Sequence, residues 1–440
     1  MFYLLGFLIS LITGFLLIRL LCGNKLNFIF HLLLGLVLGF GIDGTVCFYT
    51  NILANQFNRF IPIGLVLAIA IAAFQASRKN LIKDIQALLK NISGQDRAKY
   101  IWGFVTLAIL AIPLAISGHY FPLGGWDAWS CWNLKAKFIF LAHENWKDML
   151  SPSFWRSNTQ YPLLLPLINV WFWDLGGVFD QTVTMLNSIV FTLLTAGILL
   201  FGIWELTGNR LGAILSAVIA IAIPFSVTLY TSQYSDVLVG LFLLSAFMCL
   251  LLAQKYKLPK LKILSMVFLG LMGFTKNEGL IAAGIAALLI FWQERKNKKE
   301  LKDLIFIFVI ASLPAIIFTL FMAPKNEAFI NGLTSSDKPS TLTRLMVICV
   351  YPWFEFISGK WNGFWLLAVG GIILSGKKLW QSTLGTMGLS LIFYLLVVMA
   401  YYQVNTFFEI QWWLSTTLSR ILFALIPTIV LWITLGVMGA

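Results

Sequence analysis

Long apolar runs alternate with short polar segments along this chain, and the polar segments are of two kinds, strongly basic and mixed. Residues 2–21, 27–49 and 61–76 are apolar runs near the ~20 residues that carry a helix through ~30 Å of hydrocarbon. They lead into 77–100, where Arg78, Lys79, Lys83, Lys90, Arg97 and Lys99 stand against only Asp84 and Asp96. Basic loops between spans stay on the cytoplasmic side, so this segment orients the chain and predicts that 101–117 crosses outward. The polar loop 118–161 then lies outside. Residues 162–176 read as a half-span, short, interrupted by Pro166 and rich in Trp, which fits an in-plane or re-entrant helix.

The alternation continues. Residues 185–205 return inward, 211–230 go out, and 237–254 come back to Lys255, Lys257, Lys260 and Lys262. Residues 263–274 go out, 279–292 return to the basic cluster Arg295 to Lys302, and 304–322 cross into the polar stretch 324–343. There Gly332, Asp337 and Pro339 predict an irregular loop able to cover a site. With 345–357 in the interface, 364–375 runs inward to Lys377 and Lys378, 380–401 outward and 421–438 inward. The expectation is an all-α polytopic membrane protein of about twelve transmembrane helices with in-plane helices on the outer side. It divides into residues 1–99, three helices and a basic loop, and 100–440, the larger module with the long first outer loop 118–161.

Composition agrees: 59% of the 440 residues are hydrophobic and 11% charged, with mean hydropathy +0.87. That excludes a water-soluble globule. The net charge of +13 resembles that of a nucleic-acid binder, but the 31 Lys and Arg gather in short loops between spans, which is the positive-inside pattern, so nucleic acid is excluded as a partner and membrane lipids are the expected surroundings. Five cysteines without a CxxC spacing give neither a zinc site nor a disulfide framework. The N-terminal run lacks a basic flank and a small-residue cleavage site, which favours a retained helix over a removed signal. Asn91-Ile92-Ser93 matches a glycosylation sequon, discounted in a cytoplasmic loop.

Charge at membrane depth is costly and tends to mark sites. In this topology Asp127, Asp236, Lys276, Glu278 and Arg420 all reach the outer face; the plain alternative is that each is a helix-end residue sitting in water. Asp127 lies in Gly124-Gly125-Trp126-Asp127-Ala128-Trp129, where two glycines permit a tight turn and the tryptophans suit the headgroup level. Trp129, Trp132, Lys135 or Ala136 and Ile139 recur at helical spacing, predicting a short interfacial helix from which Lys135 and Lys137 reach toward phosphate. Lys276, beside a predicted helix N-terminus, attracts an anion, unless it is a snorkelling lysine. Lys276 and Glu278, two positions apart, would not face each other on a helix.

Four stretches carry a family likeness: the Asp127 loop, Ser232-Gln233-Tyr234-Ser235-Asp236, Gly273-Phe274-Thr275-Lys276-Asn277-Glu278-Gly279, and Ser419-Arg420 opening the last helix. In order and membrane placement they resemble the bacterial GT-C glycosyltransferases, including protein O-mannosyltransferases and lipid A aminoarabinose transferases, over roughly 100–440. The family's Asp-Glu pair in the first loop is here Asp127-Ala128. The resemblance implies a GT-C-like fold and an enzyme in a bacterial-type inner membrane, its active site facing the periplasm or exterior. It would move a sugar from a polyprenyl-phosphate donor to a lipid, glycan or protein acceptor.

The roles then follow. Sugar transfer from a phosphate leaving group needs the acceptor hydroxyl deprotonated, and one carboxylate, Asp127, suffices for the inverting displacement that the resemblance implies. Asp236 orients the acceptor or positions a metal or a lysine. Lys276 and Arg420, with Glu278 beside them, would meet the donor phosphate. No protein metal site is read from the sequence, and a divalent metal is left open as a cofactor. The alternative from another class is a transporter or flippase of lipid-linked sugars, against which weigh the long Asp127 loop and the absence of matched halves. A membrane-bound acyltransferase would need a histidine within the membrane, and His31 alone qualifies.

Overall fold

The computed structural model describes residues 2–53, 58–90, 97–325, 330–332 and 341–439, with backbone alone at 79–80, 84, 87–90 and 155. The sequon at 91–93 and Asp337 and Pro339 of the polar stretch lie outside the described residues. Among the described residues there is no strand. The helices are α1 (Phe2–Cys22), α2 (Phe28–Cys47), α3 (Phe60–Lys90), α4 (Arg97–Tyr120), α5 (Asn133–Leu141), α6 (Leu164–Gly176), α7 (Thr182–Thr207), α8 (Arg210–Ile221), α9 (Pro224–Thr231), α10 (Ser235–Tyr256), α11 (Lys260–Thr275), α12 (Asn277–Glu294), α13 (Lys298–Ile317), α14 (Thr341–Ile357), α15 (Phe364–Ser375), α16 (Ser382–Val404) and α17 (Ile410–Met438).

Nine helices among the described residues are long and apolar enough to cross a membrane, ten if a bent pair is one span, so the protein is an integral, multi-pass, all-helical membrane protein. The bent pair is α8 and α9, which meet at 67° where the sequence pattern reads one run over 211–230. Pro224, first residue of α9, has no N–H to continue the helix of α8, and the chain breaks just before it. Residues 162–176 give the short apolar helix α6, buried along most of its length. At 16 and 12 residues, α11 and α15 cover the runs read as crossings at 263–274 and 364–375 but fall short of the ~20 residues that carry a helix through the hydrocarbon.

Helix α10 is the centre. Its apolar residues run all round the helix, and its membrane window is entirely buried, packed by α7, α11 and α17. Helices α1 and α2 pack closely because Gly14, Gly35 and Gly39 leave no side chain between the backbones. Ser10 on α1 donates a 2.5 Å hydrogen bond to the buried Asp43 of α2.

The bundle has two chemically distinct ends, and α10 joins them, with Asp236 in its first turn and Lys255 in its last. At the basic end Glu205 of α7 accepts from Lys99 at 2.6 Å and pairs with Lys255 at 3.4 Å, while Lys262 bridges Glu294 and Glu300 at 2.8 and 3.0 Å. The other end holds the opposite termini of α7, α10, α11 and α12, and on it the polar loops converge.

Candidate functional site

Asp127 is carried by a turn that requires its glycines. Gly124 has φ +71, and a Cβ there would meet the Ser232 carbonyl oxygen, while one on Gly125 would strike the Tyr234 hydroxyl. The Gly125 N–H donates to that Ser232 carbonyl at 3.0 Å, so the 121–127 loop lies directly on the 232–236 loop. Gln233, at φ +60, fastens the two: its Nε2 donates to the Pro122 carbonyl at 2.9 Å, and its Oε1 accepts from Asn133 Nδ2 at 2.8 Å and Thr184 Oγ1 at 2.7 Å. Behind Asn133 a ladder of buried amides continues through Asn169 and Asn187 to the hydroxyl of Tyr3 on α1. The N-terminal helices thereby buttress the loop that bears Asp127.

Five charged side chains meet where these loops close over α10. Arg420 Nη1 donates to Asp127 Oδ2 at 2.5 Å, and its Nε and Nη2 donate to Asp236 Oδ2 at 3.1 and 2.7 Å. Lys276 Nζ donates to Asp236 Oδ1 at 3.0 Å and lies 3.6 Å from Glu278 Oε1. The Arg420 guanidinium sits 4.4 Å from the Tyr234 ring centroid, and the Tyr161 hydroxyl donates to Glu278 at 3.2 Å. Three carboxylates thus surround two cations. The Asp127 side chain is 23% exposed and that of Glu278 31%, against 5% for Asp236, so the cluster opens outward at Asp127 and Glu278 and is closed at Asp236. Burial opposes charge on Lys276, but the Asp236 and Glu278 carboxylates outweigh it and raise its ammonium pKa. Burial, followed by the Glu278 charge, pushes the Tyr161 phenol well above its ordinary value.

The five outer-face residues expected from the sequence are therefore contiguous, with three local corrections. Lys276 and Glu278 do approach each other, because Lys276 sits in an extended link (φ −160, ψ 150) between α11 and α12 rather than on a helix. Arg420 does not open the last helix: α17 begins at Ile410, and Arg420 projects from its third turn. Its neighbour Ser419 turns elsewhere, donating to Glu355 Oε1 at 2.7 Å beside Lys360 and Trp361, a contact that ties α14 to α17.

Lys135 and Lys137 are not brought into the cluster. Lys135 is 1% exposed, donates to the carbonyls of Asn158 and Tyr161 at 2.7 and 3.2 Å and lies over the Trp132 and Tyr161 rings. Burial lowers its pKa. It holds the end of the outer loop in shape. Lys137 points outward over Phe179. The stripe Trp132, Lys135, Ala136 and Ile139 is turned into the protein, with α5 packed against α6; Trp126 and Trp129 are the exposed rings. His31 lies at the other end of the bundle, its ring nitrogens 3.1 and 3.0 Å from the carbonyls of Asn27 and Gly23. Among the described residues no group of three or more His, Cys, Asp and Glu side chains is disposed to hold a metal ion.

No family model, curated protein or solved structure matches this chain.

Sequence reasoning did not single out Tyr161, Tyr234 or Gln233. Tyr234 and Gln233 stand inside the quoted Ser232 to Asp236 stretch, and their uncharged polar chemistry next to an aspartate was the available signal.

Proposed function

We propose that the protein is an integral membrane glycosyltransferase that moves a sugar from a polyprenyl-phosphate donor to a lipid, glycan or protein acceptor. By the positive-inside rule its basic end is cytoplasmic and the Asp127 end faces the periplasm or exterior of a bacterial-type inner membrane. The observation that carries the reading is Arg420 held between two aspartates of unequal burial, with Lys276 on the far side of the deeper one.

Asp236, nearly sealed, keeps Arg420 and Lys276 charged and aimed at one place. A phosphate group entering from the open side finds two cationic donors there, and by engaging Arg420 it loosens the clasp on Asp127. Asp127 then serves as general base. The acceptor oxygen bonds to the anomeric carbon, the carbon–oxygen bond to phosphate breaks with its electron pair passing to the phosphate oxygen, and the acceptor proton goes to the Asp127 carboxylate. One base and a direct displacement invert the anomeric centre. A GT-C-like arrangement is part of this proposal and rests on the four resembling stretches.

The test is mass spectrometry of surface glycans and envelope lipids from cells lacking the protein, complemented with wild type or with Asp127→Asn. The reading expects a sugar residue to disappear, to return with wild type and to stay absent with Asp127→Asn. An unchanged profile on deletion, or full restoration by Asp127→Asn, overturns it; restoration by Asp127→Asn points instead to transport of a lipid-linked sugar.

A further inference from the structure

A cavity of about 660 Å³ opens at the basic end, between the C-terminal ends of α7, α10 and α17 and the start of α16. It lies the length of α10 away from Asp127 and has no part in the chemistry proposed above. Its volume falls within the range of ligand-binding clefts. The lining is divided by polarity. Leu251, Leu384 and Leu435 are buried and form an apolar part, while Gln254, Lys255 and Lys378 supply the polar part.

The charge there is in excess. Glu205 stands behind the cleft, but Lys99 already pairs with it at 2.6 Å, so the Lys255 contact at 3.4 Å leaves that corner with more cation than anion. Lys378, exposed on the opposite wall, makes no ion pair among the described residues, and its Nζ lies against Gly439 at the end of α17. A buried acid would make such a corner a structural salt bridge; among the described residues Lys378 has none to close onto.

We propose that this cleft binds the phosphate-bearing headgroup of an anionic phospholipid in the leaflet at the basic end, phosphate between Lys255 and Lys378 and glycerol region against the leucines. The division of the lining is what distinguishes a lipid from free phosphate: inorganic phosphate would use the polar part alone, whereas a lipid also meets the leucines. Basic clefts between helices at a membrane surface recognise headgroups in this way, by charge on one side and apolar contact on the other.

The experiment uses the full chain in nanodiscs holding equal amounts of phosphatidylcholine and phosphatidylglycerol, extracted into detergent, with retained lipid counted by native mass spectrometry. Wild type is expected to retain phosphatidylglycerol in preference, and Lys378→Gln to lower that preference roughly tenfold, the scale of one charge-assisted contact. Lys377→Gln, next in the chain but off the cleft lining, is expected to leave it unchanged. Lys378 is an exposed lysine without an ion pair among the described residues, so its removal spares the fold; equal Tm values of the two variants establish this. Equal retention of the two lipids by wild type, or equal preference in Lys378→Gln and wild type, overturns the proposal. Displacement of phosphatidylglycerol by millimolar inorganic phosphate overturns the lipid assignment in favour of a free-phosphate site.

Discussion

Asp127 and Arg420 stand 293 positions apart in the chain and 2.5 Å apart in the fold. The contact joins the first long polar loop to the last described helix, and through the same guanidinium to Asp236 on the central helix. A short charge-assisted pair at a partly exposed position does two things together. It fixes the Asp127 carboxylate in place, and it ties that carboxylate to the buried Asp236 through one guanidinium.

Asp127 is expected to be needed as a base, beyond its negative charge. Asp127→Asn keeps the size and a hydrogen bond to Arg420 but cannot take a proton, so turnover should fall by about two to four orders of magnitude with donor binding retained. Asp127→Glu displaces the oxygens by about a bond length and should retain partial activity, down on the order of a hundredfold. Single-turnover rates with donor affinity measured separately check both; a wild-type rate in a folded Asp127→Asn protein removes Asp127 from the mechanism.

Arg420 should resist even conservative change. Lysine keeps the charge but has no planar fork, so Arg420→Lys cannot hold Asp127 and Asp236 together. Arg420→Ala leaves Asp236, 5% exposed, with Lys276 alone, and breaking such a buried pair costs on the order of 3 to 5 kcal/mol. Thermal unfolding in detergent should show a large Tm drop for Ala and a smaller one for Lys, with both lacking transfer activity. An unchanged Tm in Arg420→Ala would mean that the clasp contributes nothing to the fold.

Lys276 should matter to the donor and to alkaline stability. Lys276→Ala is expected to raise the apparent KM for the lipid-phosphate donor by the equivalent of roughly 1.5 to 3 kcal/mol, and Lys276→Arg to keep part of the affinity. Its ammonium pKa is raised in the fold, so the stability it adds is complete below the ordinary lysine value and is lost as pH climbs through the raised one. The Tm gap between wild type and Lys276→Met should therefore hold from neutral to mildly alkaline pH and close in strong alkali. A gap that closes already below the ordinary lysine value contradicts the pairing with Asp236.

Sidedness can be tested with thiols. Cys131 is 1% exposed and makes a poor reporter, whereas Trp129, 46% exposed, neighbours the site. With the exposed Cys349 replaced by serine, Trp129→Cys should react with a membrane-impermeant maleimide on intact cells and Lys298→Cys only after permeabilisation. The opposite pattern places the charge cluster in the cytoplasm and excludes a periplasmic site.

The charge cluster was legible because an apolar chain tolerates few ionisable groups, and the alternation of basic loops assigns each of these to a side before any contact is known. Partners of uncharged polar type were not, since Gln233 and Asn133 bear no mark that distinguishes a loop fastener from a solvated side chain. Lys135 misled for a related reason: a lysine near aromatic residues reads as a free cation, and only tertiary packing brings the carbonyls of Asn158 and Tyr161 around it. The break at Pro224 was readable in principle, yet the apolar composition of 211–230 outweighs a single proline when runs are judged by length.

The position of Arg420 in the chain sets an order on assembly. A nascent chain threaded into the membrane as far as α16 already contains Asp127, Asp236, Lys276 and Glu278, three carboxylates around one ammonium. Nothing yet separates the two aspartates, and their mutual repulsion works against docking of the 121–127 loop onto α10. Only when the third turn of α17 has been translated and inserted does the guanidinium arrive that closes the cluster. The closed cluster is thus withheld from incomplete chains, and a premature stop between the end of α16 and residue 420 leaves the three carboxylates and the one ammonium without the guanidinium that joins Asp127 to Asp236.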